Sequence, residues 1–316
     1  MNVETGKVPG QARKPAPLLV RLLRQKELQL MVIPGILLII VFRFFPIYGL
    51  QIAFKELNPV LGVWGSPWIG WKNFHDFIFS PVFANVMYNT IMISLLKLAF
   101  TFPVPILFAL LLNELRSGKA RTLFQGISYL PHFMSWVICA GVFASIFAKD
   151  GGTLNNLLLA VGLISEPIHF MGEPKLFWPI LIVLQNWKEM GWSAIIFMAA
   201  IVGIDSEIYD SAKIDGANRY QQMFSITLPC ILPTVAILLI LRVGHILDAG
   251  FDQILVFRNP LVADVANIID THVLDTGIQH GRFGYATAVG LFKSVIGFLL
   301  VLLSNHFARK QNMGIW

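Results

Sequence analysis

The chain has 316 residues, of which 56% are hydrophobic and only 13% are charged, and its mean hydropathy is +0.68. A soluble domain carries about 25% charged residues, so this composition excludes one large soluble globule. The net charge of +6 is interpreted as basic loops facing anionic lipid, which argues against nucleic-acid binding. The two cysteines, Cys139 and Cys230, are predicted to be small hydrophobic residues rather than a disulfide or metal pair.

Six mainly apolar stretches are each long enough to cross about 30 Å of hydrocarbon as a helix. We call them the first to sixth spans, and their predicted bounds are 30–53, 83–113, 123–147, 176–203, 231–257 and 283–307. The first span is too long for a cleaved signal peptide. The sequence therefore predicts an all-α, polytopic membrane protein. Its predicted parts are a basic cytoplasmic tail at 1–28, a transmembrane domain at 29–310 and a cytoplasmic tail at 311–316.

Lysine and arginine are unevenly divided between the two sides of the predicted membrane domain. Thirteen lie in the two tails, in the connection between the second and third spans, and in the connection between the fourth and fifth spans. Only six lie in the connections on the opposite side. The positive-inside rule therefore predicts that both termini and the fourth-to-fifth connection are cytoplasmic.

The first connection on the opposite side is rich in aromatic residues, including Trp64, Trp68 and Trp71. Two interpretations fit this composition. The aromatic residues are either an interfacial belt at the membrane surface or a platform on which an external protein docks.

The connection between the fourth and fifth spans has the pattern of a folded element. Asp205 and Ser206 can cap the start of a helix that ends near Ile214. Gly216 can then adopt a positive φ and turn the chain, and a second helical pattern runs on to Pro229. We call residues 205–230 the coupling loop, because a stiff helix pair at the membrane surface suits contact with a partner protein.

The coupling loop resembles the EAA loop in the permease subunits of ATP-binding-cassette importers. That motif typically reads E-A-A, three residues, G, about nine residues and I-x-L-P, and the matching stretches here are 210–212, Gly216 and 226–229. Asp210 and Ser211 stand where the family usually has Glu and Ala. Further pieces resemble carbohydrate-uptake permeases, nearest to the subgroup that imports oligosaccharides from complex polysaccharides; they lie at 49–54, 70–74, 89–90, 129–131 and 187–200.

The resemblance implies a type I importer fold and a pore shared with a second, homologous permease in a bacterial plasma membrane. It also implies two cytoplasmic ATP-binding subunits and an extracellular or periplasmic solute-binding protein. The sequence has no Gly-x-x-x-x-Gly-Lys-Ser/Thr loop, so we expect ATP and Mg to be bound by the partner ATPase. No catalytic residue, cofactor or metal site is predicted in this chain. The predicted ATPase-coupling residues are Glu207, Asp210, Ala212, Asp215, Gly216, Ala217 and Arg219.

Polar side chains at membrane depth are costly and usually face a cavity or a partner helix. Four of them in the fifth span are spaced by 3, 3 and 4 residues, which predicts one face of a continuous helix. The predicted substrate path consists of Gln185, Asn186, Trp187, Lys188, Arg242, His245, Asp248, Asp252 and Lys293.

The middles of the spans hold five cations and three acids, an excess of two positive charges. The cations are Arg43, Lys97, Lys188, Arg242 and Lys293. In one interpretation these groups pair within the chain or with the second permease. In the other, unpaired cations line one cavity and attract an acidic sugar such as a uronate-containing oligosaccharide, since arginine binds carboxylates in bidentate fashion.

Two other functions were weighed against a sugar importer. The first is an importer of the same kind for another small solute. The second is an ion-coupled secondary transporter, in which Glu189, Asp248 and Asp252 relay protons. A secondary transporter needs no cytoplasmic docking loop, so the coupling loop argues against it.

Overall fold

The computed structural model describes residues 26–310. Of these, residues 26–51 belong to one compact unit and residues 52–310 to another. The predicted tail at 311–316 lies outside the described residues, as does the predicted basic tail except for 26–28, which already belong to the first helix.

Within residues 26–310 the chain contains helices and turns but no β-strand, apart from one isolated bridge between Lys55 and Trp68. Four helices are long and apolar enough to cross a membrane: Lys26–Phe54, Phe83–Asn113, Arg219–Gly244 and Phe283–Arg309. Two bent pairs also have a suitable length and composition: Gly118–Phe133 with Trp136–Ile146, and Pro174–Val202 with Ser206–Ile214. Shorter helices are Gly62–Gly65, Lys72–Ile78, Thr153–Ala160, Phe251–Phe257, Ala263–Ala266 and Ile269–Leu274. Six spans are therefore present if each bent pair counts as one.

The third span is not the single helix that the sequence predicts at 123–147. Its two arms meet at 100°. The first arm ends in a 3-10 turn that contains Pro131, which has no N–H to continue the helix. The second arm begins after Ser135, whose Oγ accepts a hydrogen bond from the Ile138 N–H. The second arm, Trp136–Ile146, has 11 residues and is about 16 Å long, too short to cross the membrane alone.

The fifth span is interrupted as well, so the predicted continuous helix at 231–257 is wrong in its middle. One helix ends at Gly244, a 3-10 turn follows at Ile246–Asp248, and a second helix occupies Phe251–Phe257. Ala249 has φ +47° and Gly250 has φ +85°, and this left-handed backbone ends a right-handed helix. We call residues 245–250 the fifth-span break.

The second, fourth and fifth spans form the core of the larger unit. One buried cluster joins Ile93 and Leu181 to Ile254, beyond the fifth-span break. Another joins Leu110 to Phe197, toward the coupling loop. In lipid, close packing rather than transfer from water stabilises such contacts. Ala249, in the break, belongs to the first cluster.

Candidate translocation cavity and coupling loop

The predicted turn at Gly216 is present. The first helix of the coupling loop is Ser206–Ile214, which we call the connecting helix. Gly216 has φ +79°, and its N–H donates to the Lys213 carbonyl at 3.1 Å. The next N–H, that of Ala217, donates to the Ala212 carbonyl at 2.9 Å. These two bonds form a Schellman motif, which satisfies carbonyls at the end of the helix and fixes the direction in which the chain leaves it.

Both helices of the coupling loop are also capped at their starts. Asp205 Oδ1 accepts a hydrogen bond from the Glu207 N–H at 2.9 Å. Asn218 and Gln221 form a reciprocal capping box, with side chain–backbone bonds of 2.9 and 2.7 Å. Because both helix starts and the end of the connecting helix are hydrogen-bonded, the loop has one folded structure rather than an irregular one. Pro229 lies in the first turn of the helix Leu228–Gly244, and the helical path that begins at Arg219 continues through it into the fifth span.

Two contacts join the coupling loop to itself and to the second span. The Tyr209 hydroxyl lies 2.9 Å from Thr227 Oγ1, so the connecting helix is bonded to the start of the fifth span. Arg219 Nη1 donates to the Glu114 carbonyl at 3.2 Å. Arg219 was predicted to contact the ATPase, whereas Tyr209 was not singled out, because a lone tyrosine in a loop carries no signal of its partner. The contacts stiffen the loop.

The acidic residues predicted for ATPase coupling lie on the exposed side of the loop. Glu207, Asp210 and Asp215 are exposed, whereas Ala212 and Ala217 are half-buried. Two large apolar side chains stand beside the acids and were not predicted: Ile214 is 87% exposed and Tyr220 is 74% exposed. This mixed apolar and acidic surface is suited to docking, and within it Asp210 accepts a hydrogen bond from Lys213 Nζ at 2.8 Å.

A cavity of about 810 Å³ opens beside the fifth-span break. The predicted substrate-path residues that line it are Gln185, Arg242, His245, Asp248, Asp252 and Lys293. The break, and not one helical face, brings the four fifth-span residues together. Lys97, Gln253 and Asp270 also line the cavity. The sequence marked Lys97 only as a midspan cation, and Asp270 lies outside every predicted span, where no periodicity pointed to it.

Lys293 is held in an ion-pair network. Its Nζ lies 2.6 Å from Asp248 Oδ1 and 2.8 Å from both carboxylate oxygens of Asp270. His245 Nδ1 is 3.2 Å from the other oxygen of Asp248. Lys293 therefore joins the sixth span to the break and to helix Ile269–Leu274, as the pairing interpretation expects.

Lys188 does not line the cavity, so the expectation that Lys188, Arg242 and Lys293 share one cavity is wrong for Lys188. It is only 5% exposed and donates to the His132 carbonyl at 2.7 Å and to Glu189 Oε1 at 3.1 Å. Glu189 also reaches His132 Nδ1 at 2.8 Å. This cluster joins the fourth span to the bend of the third span.

The two neighbours of Lys188 in sequence also lie outside the cavity lining. Asn186 Nδ2 donates to the Phe100 carbonyl at 3.2 Å, which ties the fourth span to the second. The Trp187 ring meets Phe143 edge-on, with ring centroids 5.2 Å apart. In this structure both residues join helices, and neither reaches the cavity.

Equal numbers of cationic and acidic side chains line the cavity. They are Lys97, Arg242, Lys293, Asp248, Asp252 and Asp270. The predicted excess of two positive charges is therefore absent from the cavity wall. Arg242 differs from Lys293, because it is exposed and forms no ion pair with any residue between 26 and 310. It is the cation of the cavity that is free to meet a ligand.

Beyond the membrane-spanning helices, a bidentate ion pair fixes the segment that follows the fifth span. Arg258 Nη1 and Nη2 each lie 2.8 Å from an oxygen of Asp275. The guanidinium holds the pKa of Asp275 below its ordinary value. The pair therefore stabilises the fold above the ordinary carboxyl pKa, and this contribution is lost as the pH falls through the lowered pKa.

Comparisons with known proteins agree with this architecture. The chain is 42% identical over 293 residues to the polygalacturonan/rhamnogalacturonan transport system permease protein YteP of Bacillus subtilis (strain 168). That alignment covers 93% of this chain and 91% of YteP.

Two solved structures superpose on nearly the whole chain. One is a bacterial ABC transporter involved in the import of the acidic polysaccharide alginate, with a TM-score of 0.85 and 40% identity over 93% of this chain and 98% of that chain. The other is a bacterial alginate ABC transporter in complex with an alginate pentasaccharide-bound periplasmic protein, with a TM-score of 0.86 and 38% identity over 94% and 99%. The expected importer fold is confirmed.

The match to a protein family covers residues 28–313, which includes the cavity and the coupling loop. The family is described as the inner membrane component of binding-protein-dependent transport systems. The sequence-based resemblance to importer permeases is therefore confirmed, and this chain is a member of the family of binding-protein-dependent transport system inner membrane components.

Proposed function

We propose that this chain is the permease subunit of an ATP-driven importer of oligosaccharides. The observation that supports this most is the cavity beside the fifth-span break, on a chain 42% identical to a polygalacturonan/rhamnogalacturonan permease. The volume of about 810 Å³ suits a ligand of oligosaccharide size. An importer of another small solute remains the alternative function.

The partners we propose are a second homologous permease, two cytoplasmic ATP-binding subunits and a solute-binding protein outside the cell. Support comes from the alginate transporter, which was solved in complex with a periplasmic protein that holds a pentasaccharide. We place both termini and the coupling loop in the cytoplasm of a bacterium, on the basis of thirteen lysines and arginines on that side against six on the other. ATP hydrolysis then belongs to the partner subunits.

The mechanism we propose is alternating access. Closure of the two ATP-binding subunits moves the coupling loop, and the two permeases rotate so that the cavity opens outward. Hydrolysis reverses the motion. This requires a stiff joint, and the capped helix pair around Gly216 has the hydrogen bonds to be one. Ile214 and Tyr220 add an apolar contact to the predicted acidic one.

The cargo we propose is an acidic oligosaccharide, and Arg242 is the residue we expect to bind its carboxylate. The relatives support the charge of the cargo, since one imports the acidic polysaccharide alginate. Lys293 is neutralised by two aspartates and Lys188 by Glu189, so neither has a free charge to offer. An arginine can bind a carboxylate with two parallel hydrogen bonds.

We expect Arg242→Met to raise the KM for an acidic oligosaccharide by about tenfold or more, the effect of losing a charged hydrogen bond. The KM for a neutral oligosaccharide of the same length should change by less than about twofold, the range of an unengaged surface residue. Uptake into proteoliposomes that contain the complete complex and its binding protein measures both values.

Lys175→Met is the control, because Lys175 is an exposed cation on the fourth span that does not line the cavity. It should leave both values unchanged. Equal transport of acidic and neutral sugars by the parent, with no loss in Arg242→Met, would exclude the acidic cargo but not the importer. Absence of any ATP-dependent sugar uptake would exclude the importer itself.

A further inference from the structure

We propose that Lys97 is a positioning residue that fixes the fifth-span break, and with it the cavity wall that carries Asp248 and Asp252. Lys97 lies on the second span and is only 3% exposed. Its Nζ donates to the Ala249 carbonyl at 2.9 Å and to Gln253 Oε1 at 2.6 Å. The consequence for transport rests on the proposed function, whereas the structural role does not.

The fifth-span break leaves backbone carbonyls that require a hydrogen-bond donor. A helix that ends at membrane depth leaves backbone carbonyls without partners, and lipid supplies no water to satisfy them. The carbonyl end of a helix also carries partial negative charge. Lys97 forms no ion pair with a carboxylate among residues 26–310, so its ammonium is stabilised by these carbonyl and amide oxygens. Ala249 directly follows the 3-10 turn Ile246–Asp248, so a lysine at this position caps the turn that follows the interrupted helix.

Gln253 extends the network to a third helix. It is fully buried, and while its Oε1 accepts from Lys97, its Nε2 donates to the Leu181 carbonyl at 2.7 Å. The Gln253 amide thus links Lys97 on the second span to the backbone of the fourth span, and Lys97 in turn bonds the break. A side chain bonded at both ends of its amide has one orientation, and it ties the helix Phe251–Phe257 to the fourth span.

Gly250 shows that the backbone of the break is fitted to the ammonium. A Cβ at this residue would meet Lys97 Nζ, and its φ of +85° favours glycine independently. The ammonium therefore lies directly against the backbone of the break. Arg242 differs, since it is exposed in the cavity and has no ion pair in the described chain, so Lys97 sets the shape of the wall whereas Arg242 presents charge to the ligand.

The test measures how well the break is held, without any need to know the cargo. In the full complex, Cys139 and Cys230 are replaced by serine, and one reporter cysteine is introduced at Ile254 or at Val289. Both positions are fully buried, the first directly after Gln253 and the second on the sixth span. The rate of modification by methyl methanethiosulfonate, a neutral reagent unaffected by loss of the lysine charge, is then measured in proteoliposomes.

We expect Lys97→Met to raise the modification rate of Ile254→Cys by about tenfold, as expected for loss of hydrogen bonds to a charged donor. The rate at Val289→Cys should stay within about twofold of the parent, since it reports only general loosening. Lys97→Arg should restore a slow rate at Ile254→Cys, because it keeps the charge and the donors. Gln253→Leu should raise the modification rate at Ile254→Cys as Lys97→Met does. If the Lys97→Met protein is not recovered in membranes, the rate in Gln253→Leu tests the proposal instead.

Thr101→Val is the matched control in the second span. Thr101 is buried one turn beyond Lys97, and its hydroxyl has no hydrogen-bond partner in the described structure, so neither rate should change. The proposal is overturned if Lys97→Met leaves the rate at Ile254→Cys unchanged, or if it raises the rates at both reporters equally. Loss of sugar uptake in Lys97→Met with an unchanged modification rate would also overturn it, whereas a changed rate in a complex whose parent takes up no sugar would count only against the proposed function.

Discussion

Gly216→Val is expected to lower transport, and ATP hydrolysis stimulated by the binding protein, by about tenfold or more in the assembled complex. The φ of +79° strains any residue with a β-carbon, and a β-branched one most, by about 1–3 kcal/mol. Apart from its neighbours along the chain, no atom of residues 26–310 lies within 4 Å of the position a Cβ would take, so within this chain the effect acts through the backbone alone. Relief of the strain breaks the two bonds that fix the end of the connecting helix.

The matched control is Gly216→Asn, because asparagine tolerates the left-handed conformation far better than valine. It should retain most of the transport of the parent. Both variants are compared at equal amounts of assembled complex, so that a defect in assembly is not mistaken for a defect in coupling. Normal transport by the Gly216→Val complex would show that the coupling loop is not the joint we propose.

Lys293→Met is expected to destabilise the protein by about 3 kcal/mol, the lower end of the range for breaking a buried ion pair. It leaves Asp248 and Asp270 without their shared cation, and Asp270 is largely buried. We take the lower end of this range because the Asp248 side chain is 51% exposed, so the pair is only partly buried. The yield of complex and its thermal midpoint measure the effect, and transport of acidic and neutral sugars should fall together.

The compensated variant, Lys293→Met with Asp270→Asn, separates charge imbalance from lost packing. It removes one unpaired carboxylate together with the lysine, and we expect it to recover part of the lost stability because less uncompensated charge remains. If the compensated variant is no more stable than Lys293→Met, the network stabilises through shape rather than through charge.

The coupling loop could be predicted from the sequence because its structure is specified locally. The cap at Asp205 and the positive φ at Gly216 depend on residues a few positions away, and these residue types have few alternative roles. The bend of the third span also has a local signal, since Pro131 interrupts the helix. That signal was outweighed by the continuous apolar composition of the segment.

The break in the fifth span has no comparable local signal. Ala249 adopts positive φ without being glycine, and the side chain that caps the break, Lys97, is 152 residues away in sequence. Asp270, which balances Lys293, lies in a connection that the sequence placed outside the membrane domain's spans. Long-range partners of this kind decide which midspan charges are paired, so charge counts along a sequence could not show which cation of the cavity is unpaired.

The fifth-span break has a mechanical consequence. The helix Arg219–Gly244 extends from the coupling loop into the membrane and is about 39 Å long, so we expect a displacement at its coupling-loop end to be carried to its far end. The break ends this helix beside the cavity, whereas the helix Phe251–Phe257 is packed on the fourth span through Ile254. We therefore expect tilting of Arg219–Gly244 to change the width of the cavity on the coupling-loop side without separating Phe251–Phe257 from the fourth span. We expect one stiff element to open the two ends of the path at different times.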